Sequence, residues 1–173
     1  MPFVHSRDGT PIGFERAGNG PPLILVDGAL CYRASGPSRP LAKLLTDRFT
    51  VYTYDRRGRG DSADTPPYAI AREIEDLEAL IEEAGEPAFV YGISSGAALA
   101  LEAANNGAPI RKLALYEAPF IVDDERAPIE RDFLSRLETA IAENRRGDAV
   151  RMFMRFVGLP APVIFFMRFL PMW

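Results

Sequence analysis

Residues 88–100 read Ala-Phe-Val-Tyr-Gly-Ile-Ser-Ser-Gly-Ala-Ala-Leu-Ala, or AFVYGISSGAALA in one-letter code. The apolar run Ala88–Tyr91 predicts a strand, and the alanine-rich run from Gly96 to Asn106 predicts a helix able to lie close against a sheet. Between them the spacing is Gly92-x-Ser94-x-Gly96. A strand that enters a helix through so tight a turn needs small residues two positions either side of its apex, where Cβ atoms would collide. Ser94 at the apex is then held in strained backbone with its hydroxyl projecting above the sheet. The helix N-terminus beneath it favours developing negative charge. A plainer reading fits the same letters: a serine-glycine turn in which Ser94 or Ser95 caps the helix.

Outward from this turn, the chain alternates. Residues 3–6 and 11–16 predict a hairpin around Asp8-Gly9. Leu23–Val26 is a continuous apolar run, which suits a strand buried on both faces, and Phe49–Tyr54 is rich in β-branched and aromatic residues. Lys112–Tyr116 predicts one more strand. Residues 38–47 predict a helix with Leu41, Leu44 and Leu45 on one face. Residues 69–84 predict a longer one, with Ile70, Ile74, Leu77 and Ile81 at helical spacing, Glu and Asp opposite, and Gly85 as its stop. Strands alternating with helices imply an α/β fold, a mostly parallel sheet flanked by helices. After Glu117 the pattern changes: 129–144, 147–157 and 162–169 all predict helix, with no strand between them. The expected organisation is an α/β core over 1–120 and a helical segment over 121–173.

Length and composition fit a single globular chain: 173 residues, 47% hydrophobic and 25% charged. A net charge of −4 argues against nucleic acid as a partner. Among the cations are only two lysines, Lys43 and Lys112, and the excess of arginine reads as compositional bias rather than phosphate binding. One cysteine, Cys31, allows no intrachain disulfide and reads as an inert, buried thiol. Met1–Asp8 lacks the basic start and apolar core of a signal peptide, so a cytoplasmic protein is expected. The apolar tail carries no charge from Phe156 to Met167 but holds Pro160 and Pro162, too short and broken for membrane insertion. Gly58-x-Gly60 lacks the third glycine of a dinucleotide fingerprint, and neither cofactor nor metal is expected.

Three further segments stand in order around the opening stretch. Tyr54-Asp55-Arg56-Arg57-Gly58-Arg59-Gly60-Asp61-Ser62 resembles the D-x-R-G-x-G-x-S turn of the α/β-hydrolase family. Leu25-Val26-Asp27-Gly28-Ala29 is similar to that family's oxyanion-loop segment, and Leu115-Tyr116-Glu117-Ala118-Pro119 to the end of its sixth strand. The resemblance runs over nearly the whole chain up to Phe120. It implies a serine hydrolase acting on a small acyl or ester substrate, with Ser94 as nucleophile and the backbone N–H groups of Ala29 and Ser95 as the oxyanion hole. It also makes 121–173 a cap segment. Asp27 departs from the histidine many members carry before the glycine. A carboxylate facing the pocket would weaken the hole, whereas one turned away would bond local backbone.

The base is the missing piece. The family order is serine, acid, histidine, and no histidine follows Ser94. His5, the sole histidine, lies in the first hairpin and reads as a surface imidazole. Glu117 is a candidate acid or, equally, a carboxylate bonded to loop backbone. The expectation is the N-terminal portion of a longer hydrolase, without turnover as it stands, whose bare 112–116 edge and apolar tail favour self-association. The rival classes are a non-catalytic binding or interaction protein derived from a hydrolase, and a peripheral membrane protein anchored by the tail.

Overall fold

The computed structural model describes residues 1–122 and 130–167. Among these residues six strands form one sheet: β1 (Phe3–His5), β2 (Pro11–Ala17), β3 (Pro22–Val26), β4 (Thr50–Tyr54), β5 (Ala88–Ile93) and β6 (Ile110–Tyr116), in the order β1-β2-β4-β3-β5-β6. The short turn at Asp8-Gly9 makes β1 and β2 antiparallel, and β2 is also antiparallel to β4. The remaining pairs are parallel, because a helix intervenes each time the chain returns to the sheet. These helices are α1 (Ser38–Leu45), α2 (Ile70–Ala84) and α3 (Ser95–Asn105). The fold class is the expected one.

β3 lies between β4 and β5, and all five of its residues are buried. Alternate residues point to opposite faces of a strand. Leu23 and Leu25 pack with Val51, Leu41, Ala42 and Leu45, so α1 covers that face. Ile24 and Val26 pack with Tyr52, Val90, Leu77, Leu80, Ile81, Leu99 and Ala103, so α2 and α3 cover the other. Each fully buried large aliphatic side chain contributes about 1.5–3 kcal/mol relative to exposure.

Three expectations about helix faces are corrected. Leu44 is 79% exposed, because of the three leucines only Leu41 and Leu45 meet the sheet, with Ala42 beside them. Ile70 is exposed at the start of α2, and Leu80 takes its place in the core. The α2 acids do not all face solvent: Glu73, Glu75 and Asp76 are buried. Glu73 and Asp76 are drawn in by arginines of the turn after β4.

The chain divides into two compact units, Met1–Phe120 and Ile121–Trp173. Within the second, α4 (Phe133–Ala142), α5 (Arg146–Phe156) and α6 (Ala161–Met167) follow one another. The Phe133 ring stacks on Phe156 at 4.7 Å between centroids, and Ala140, Ala149 and Ile164 are buried. The tail therefore covers Ile164 and half-covers Met152 and Phe153 while leaving Val157 and Phe166 exposed. Phe169, Leu170 and Trp173 lie outside the described residues. Among the described residues no helix is long and apolar enough to cross a membrane.

Candidate active site

The turn from β5 into α3 is built on steric necessity. Ser94 has φ 54° and ψ −124°, a backbone region costing on the order of 1–3 kcal/mol for a residue with a Cβ. A Cβ on Gly92 would stand 2.6 Å from Ala97 Cα, and one on Gly96 would fall on the Val26 carbonyl oxygen. Glycine at both positions lets β3, β5 and α3 close around the serine. The Ser94 N–H donates to the Tyr116 carbonyl at 2.9 Å, tying the apex to β6, while the Ser94 carbonyl accepts from Ala97 N–H at 2.9 Å. The Ser94 hydroxyl makes no capping bond, so the capping alternative fails for that side chain. Ser95 is the first residue of α3, and its N–H is one of the four at a helix start that have no intrahelical partner.

The segment after β3 passes directly over this apex. A Cβ on Gly28 would lie 3.2 Å from Ser94 Cβ and 3.7 Å from its Oγ. Ala29 follows, half-buried, and Leu30 then turns through φ 60°. Asp27, 2% exposed, does not bond local backbone. It turns to Ser38 at the start of α1, whose hydroxyl donates to Oδ1 at 2.7 Å. Burial raises its pKa above the ordinary carboxylate value, with the Ser38 bond opposing.

Two arginines of the turn after β4 hold this segment, and sequence reasoning passed over both. Arg56 forks onto Glu73 at 2.6 and 2.7 Å, and its Nη1 donates to the Asp27 carbonyl at 3.1 Å and to Ser95 Oγ at 3.2 Å. Tyr68 donates its phenol to Glu73 at 2.8 Å. Arg59 Nη1 donates to the Gly28 carbonyl at 2.7 Å and the Cys31 carbonyl at 3.2 Å. For Arg56 the available signal was the acid Glu73 interrupting the apolar stripe of α2; nothing in the sequence marked Arg59, whose partners are backbone carbonyls.

A second layer fixes the turn itself. Asp55 accepts from Arg33 N–H at 2.7 Å, Arg33 Nη2 at 2.9 Å and Asp61 N–H at 3.0 Å. A Cβ on Gly60 would collide with that carboxylate, at a φ of +50°. Arg57 forks onto Asp76 at 2.6 and 2.8 Å and reaches Asp8 at 2.9 Å. Hydrogen bonding to Asp76 holds the Arg57 pKa above its ordinary value, and Arg57 holds Asp8 well below the usual carboxylate range.

Glu117 follows β6 with φ 48°, exposed, and forms no hydrogen bond with the described residues. The Tyr91 phenol pKa is raised by burial first, then by Tyr116, Glu117 and Asp27. Cys31 is half-buried, and burial followed by the Asp27 charge raises its thiol pKa, keeping it protonated. His5 sits on the edge strand β1, with β2, β4 and β3 between it and β5.

Comparison with known proteins gives consistent neighbours. A sequence profile of the alpha/beta hydrolase family matches residues 3–172. The crystal structure of an alpha/beta hydrolase from Sphaerobacter thermophilus DSM 20745 is 55% identical, with a TM-score of 0.91, covering 99% of this chain and 66% of that one. An N-formylmaleamic acid deformylase from Pseudomonas putida S16 is 26% identical, with a TM-score of 0.64, over 80% of this chain and 56% of its own. A Bacillus subtilis (strain 168) protein named uncharacterized hydrolase YraK is 32% identical over 98 residues, which are 54% of this chain and 35% of that protein. The chain thus spans about a third of that curated relative and just under two thirds of the Sphaerobacter hydrolase.

Proposed function

The chain belongs to the alpha/beta hydrolase family, and on that premise we propose that it carries the nucleophile-bearing part of a serine hydrolase acting on small acyl or ester substrates. Ser94 Oγ attacks the acyl carbon and forms the new C–O bond as its hydroxyl proton passes to solvent water, which returns a proton to the leaving group. The carbonyl π electrons move onto oxygen, and the N–H groups of Ala29 and Ser95 receive that oxyanion. The leaving group departs as the carbonyl reforms, giving an acyl-Ser94 ester that water then cleaves. The observation that carries the reading is the left-handed Ser94, held between two sterically required glycines at a helix start, with Gly28 against its side chain. The deformylase relative, which acts on an acyl group by its name, supports the acyl class.

Glu117, at the end of β6, is the candidate acid that orients the base, and 121–173 is the cap. His5 is too far along the sheet to take the Ser94 proton, and no other imidazole exists in the chain. A general base is worth ~10²–10⁴-fold, so these 173 residues alone turn over slowly. The same lack of a base favours the second reading, a hydrolase-derived binding protein that keeps the pocket.

The test is a fluorophosphonate probe with the adduct mapped by peptide mass spectrometry. The expected result is one adduct, on Ser94, formed slowly and faster with added imidazole, absent in Ser94→Ala and unaltered in His5→Ala. Equal labelling with and without Ser94 would overturn the assignment. An unreactive Ser94 even with imidazole would favour the binding protein.

A further inference from the structure

We propose that Arg59 is a positioning residue for the oxyanion-binding N–H of Ala29, acting through the plane of the Gly28–Ala29 peptide. The inference rests on the serine-hydrolase reading and adds to it the side chain that aims one of its two donors.

The Gly28–Ala29 peptide is trans. In a trans peptide the carbonyl of one residue and the N–H of the next point in opposite directions across a rigid plane. Arg59 Nη1 takes the Gly28 carbonyl at 2.7 Å, so the Ala29 N–H points away from the guanidinium. Among the described residues no other hydrogen bond reaches the Gly28 carbonyl or the Ala29 N–H. Gly28 tolerates either orientation, and Leu30, at φ 60°, already turns the chain through the left-handed region. The same nitrogen also holds the Cys31 carbonyl at 3.2 Å, closing the turn from 28 to 31 onto one cation. Upstream, Arg56 pins the Asp27 carbonyl and, from the same nitrogen, Ser95 Oγ. The two segments that supply the two N–H groups are therefore held by arginines of one turn.

Arg59 differs from its neighbours in what it pairs with. Arg33, Arg56 and Arg57 each meet a buried carboxylate: Asp55, Glu73 and Asp76. Arg59 is half-buried and bonded to backbone carbonyls, and burial pulls its pKa below the ordinary value. A cation taken from water without a carboxylate partner costs stability. Its use here is the geometry it imposes on the carbonyls.

An oxyanion exists only in the transition state and the intermediate, so a misaimed donor lowers the rate at saturation and leaves ground-state binding alone. Saturation kinetics of fluorophosphonate labelling at Ser94 separate the two. Losing one oxyanion donor costs on the order of 10²–10³-fold, so Arg59→Met should lower the maximal labelling rate by about 10- to 100-fold. Its half-saturating probe concentration should stay within about twofold, and Arg59→Lys, which keeps a donor, should recover part of the rate. The Ala29 amide ¹H–¹⁵N resonance gives a second readout: it should shift on phosphonylation of the wild-type protein and lose that response in Arg59→Met. Should Arg59→Met fail to fold, the wild-type Ala29 shift and the intermediate rate of Arg59→Lys decide. A wild-type rate in Arg59→Met, or an Ala29 resonance indifferent to phosphonylation, overturns the assignment. A wild-type protein that is never labelled at Ser94 instead sinks the hydrolase reading beneath it.

Discussion

Ser38 donates its hydroxyl to a carboxylate that has almost no contact with water. Because burial raises the folded-state pKa of Asp27, the folded protein keeps that proton at pH values where the unfolded chain has lost it. Stability from this group is greatest at low pH and falls as pH climbs from the unfolded value through the raised folded one. Asp27→Asn keeps an acceptor for Ser38 and abolishes the titration. It should be more stable than wild type to urea at pH 7.5, with the difference shrinking towards pH 4. A pH-independent difference would show that Asp27 does not titrate as its burial implies. The residues that sequence made legible here are those tied to one turn: a Cβ on Gly92 would meet Gly96 and Ala97 of that turn and Ser94 forms its apex, although Gly96 also answers to the Val26 carbonyl on β3. Arg56 meets Ser95 across 39 residues and Glu73 across 17, partnerships that only the folded sheet creates. Asp27 shows the limit from the other side, since its true partner, Ser38, lies on a different element from the backbone expected to receive it.

Along α2 the same face carries apolar and charged groups. Leu77, Leu80 and Ile81 reach the core, and Glu73 and Asp76 reach arginines from the turn after β4. Removing one partner of a buried pair strands the other charge, at a cost of about 3–5 kcal/mol. Asp76→Ala should therefore lose stability of that order in urea denaturation, tempered by the Asp8 contact that Arg57 retains. Glu78, whose partner Arg7 is 72% exposed, belongs to the other regime. Glu78→Ala should change stability by less than about 1 kcal/mol. Equal losses in the two variants would mean that Asp76 and Arg57 are solvated. Periodicity identified α2 and its C-terminal glycine, with Gly85 at φ 77° donating its N–H to Glu82. It misassigned the acids because a buried Glu-Arg pair and a solvated Glu look the same in one strand of letters. Leu44 was misassigned for the converse reason: an exposed leucine breaks no physical rule, so a stripe of three overstates what two can bury.

At the scale of the whole molecule, the fold class was legible because strands and helices alternate along the chain, whereas the strand order, with β4 inserted between β2 and β3, emerges only in the folded sheet. β6 ends the sheet, and among the described residues no strand pairs with its outer side. Leu115, Tyr116, Phe120 and Val122 are exposed in and beyond it, and Val157 and Phe166 are exposed in the helical unit. Exposed apolar patches and bare edges are association surfaces. Sedimentation velocity of the purified 173-residue chain should show concentration-dependent self-association, reduced only in part by deleting 152–173. A monomer that persists at high concentration would mean these surfaces are covered. The edge has another property. The Tyr116 carbonyl at the end of β6 is where the Ser94 amide hangs. Whatever docks along the outside of β6, a further strand of a longer chain or a second copy, stands one strand and one hydrogen bond from the serine. Stiffening the rim of the sheet would stiffen the hinge of the turn, and the reactivity of a single hydroxyl would report whether the rim is occupied.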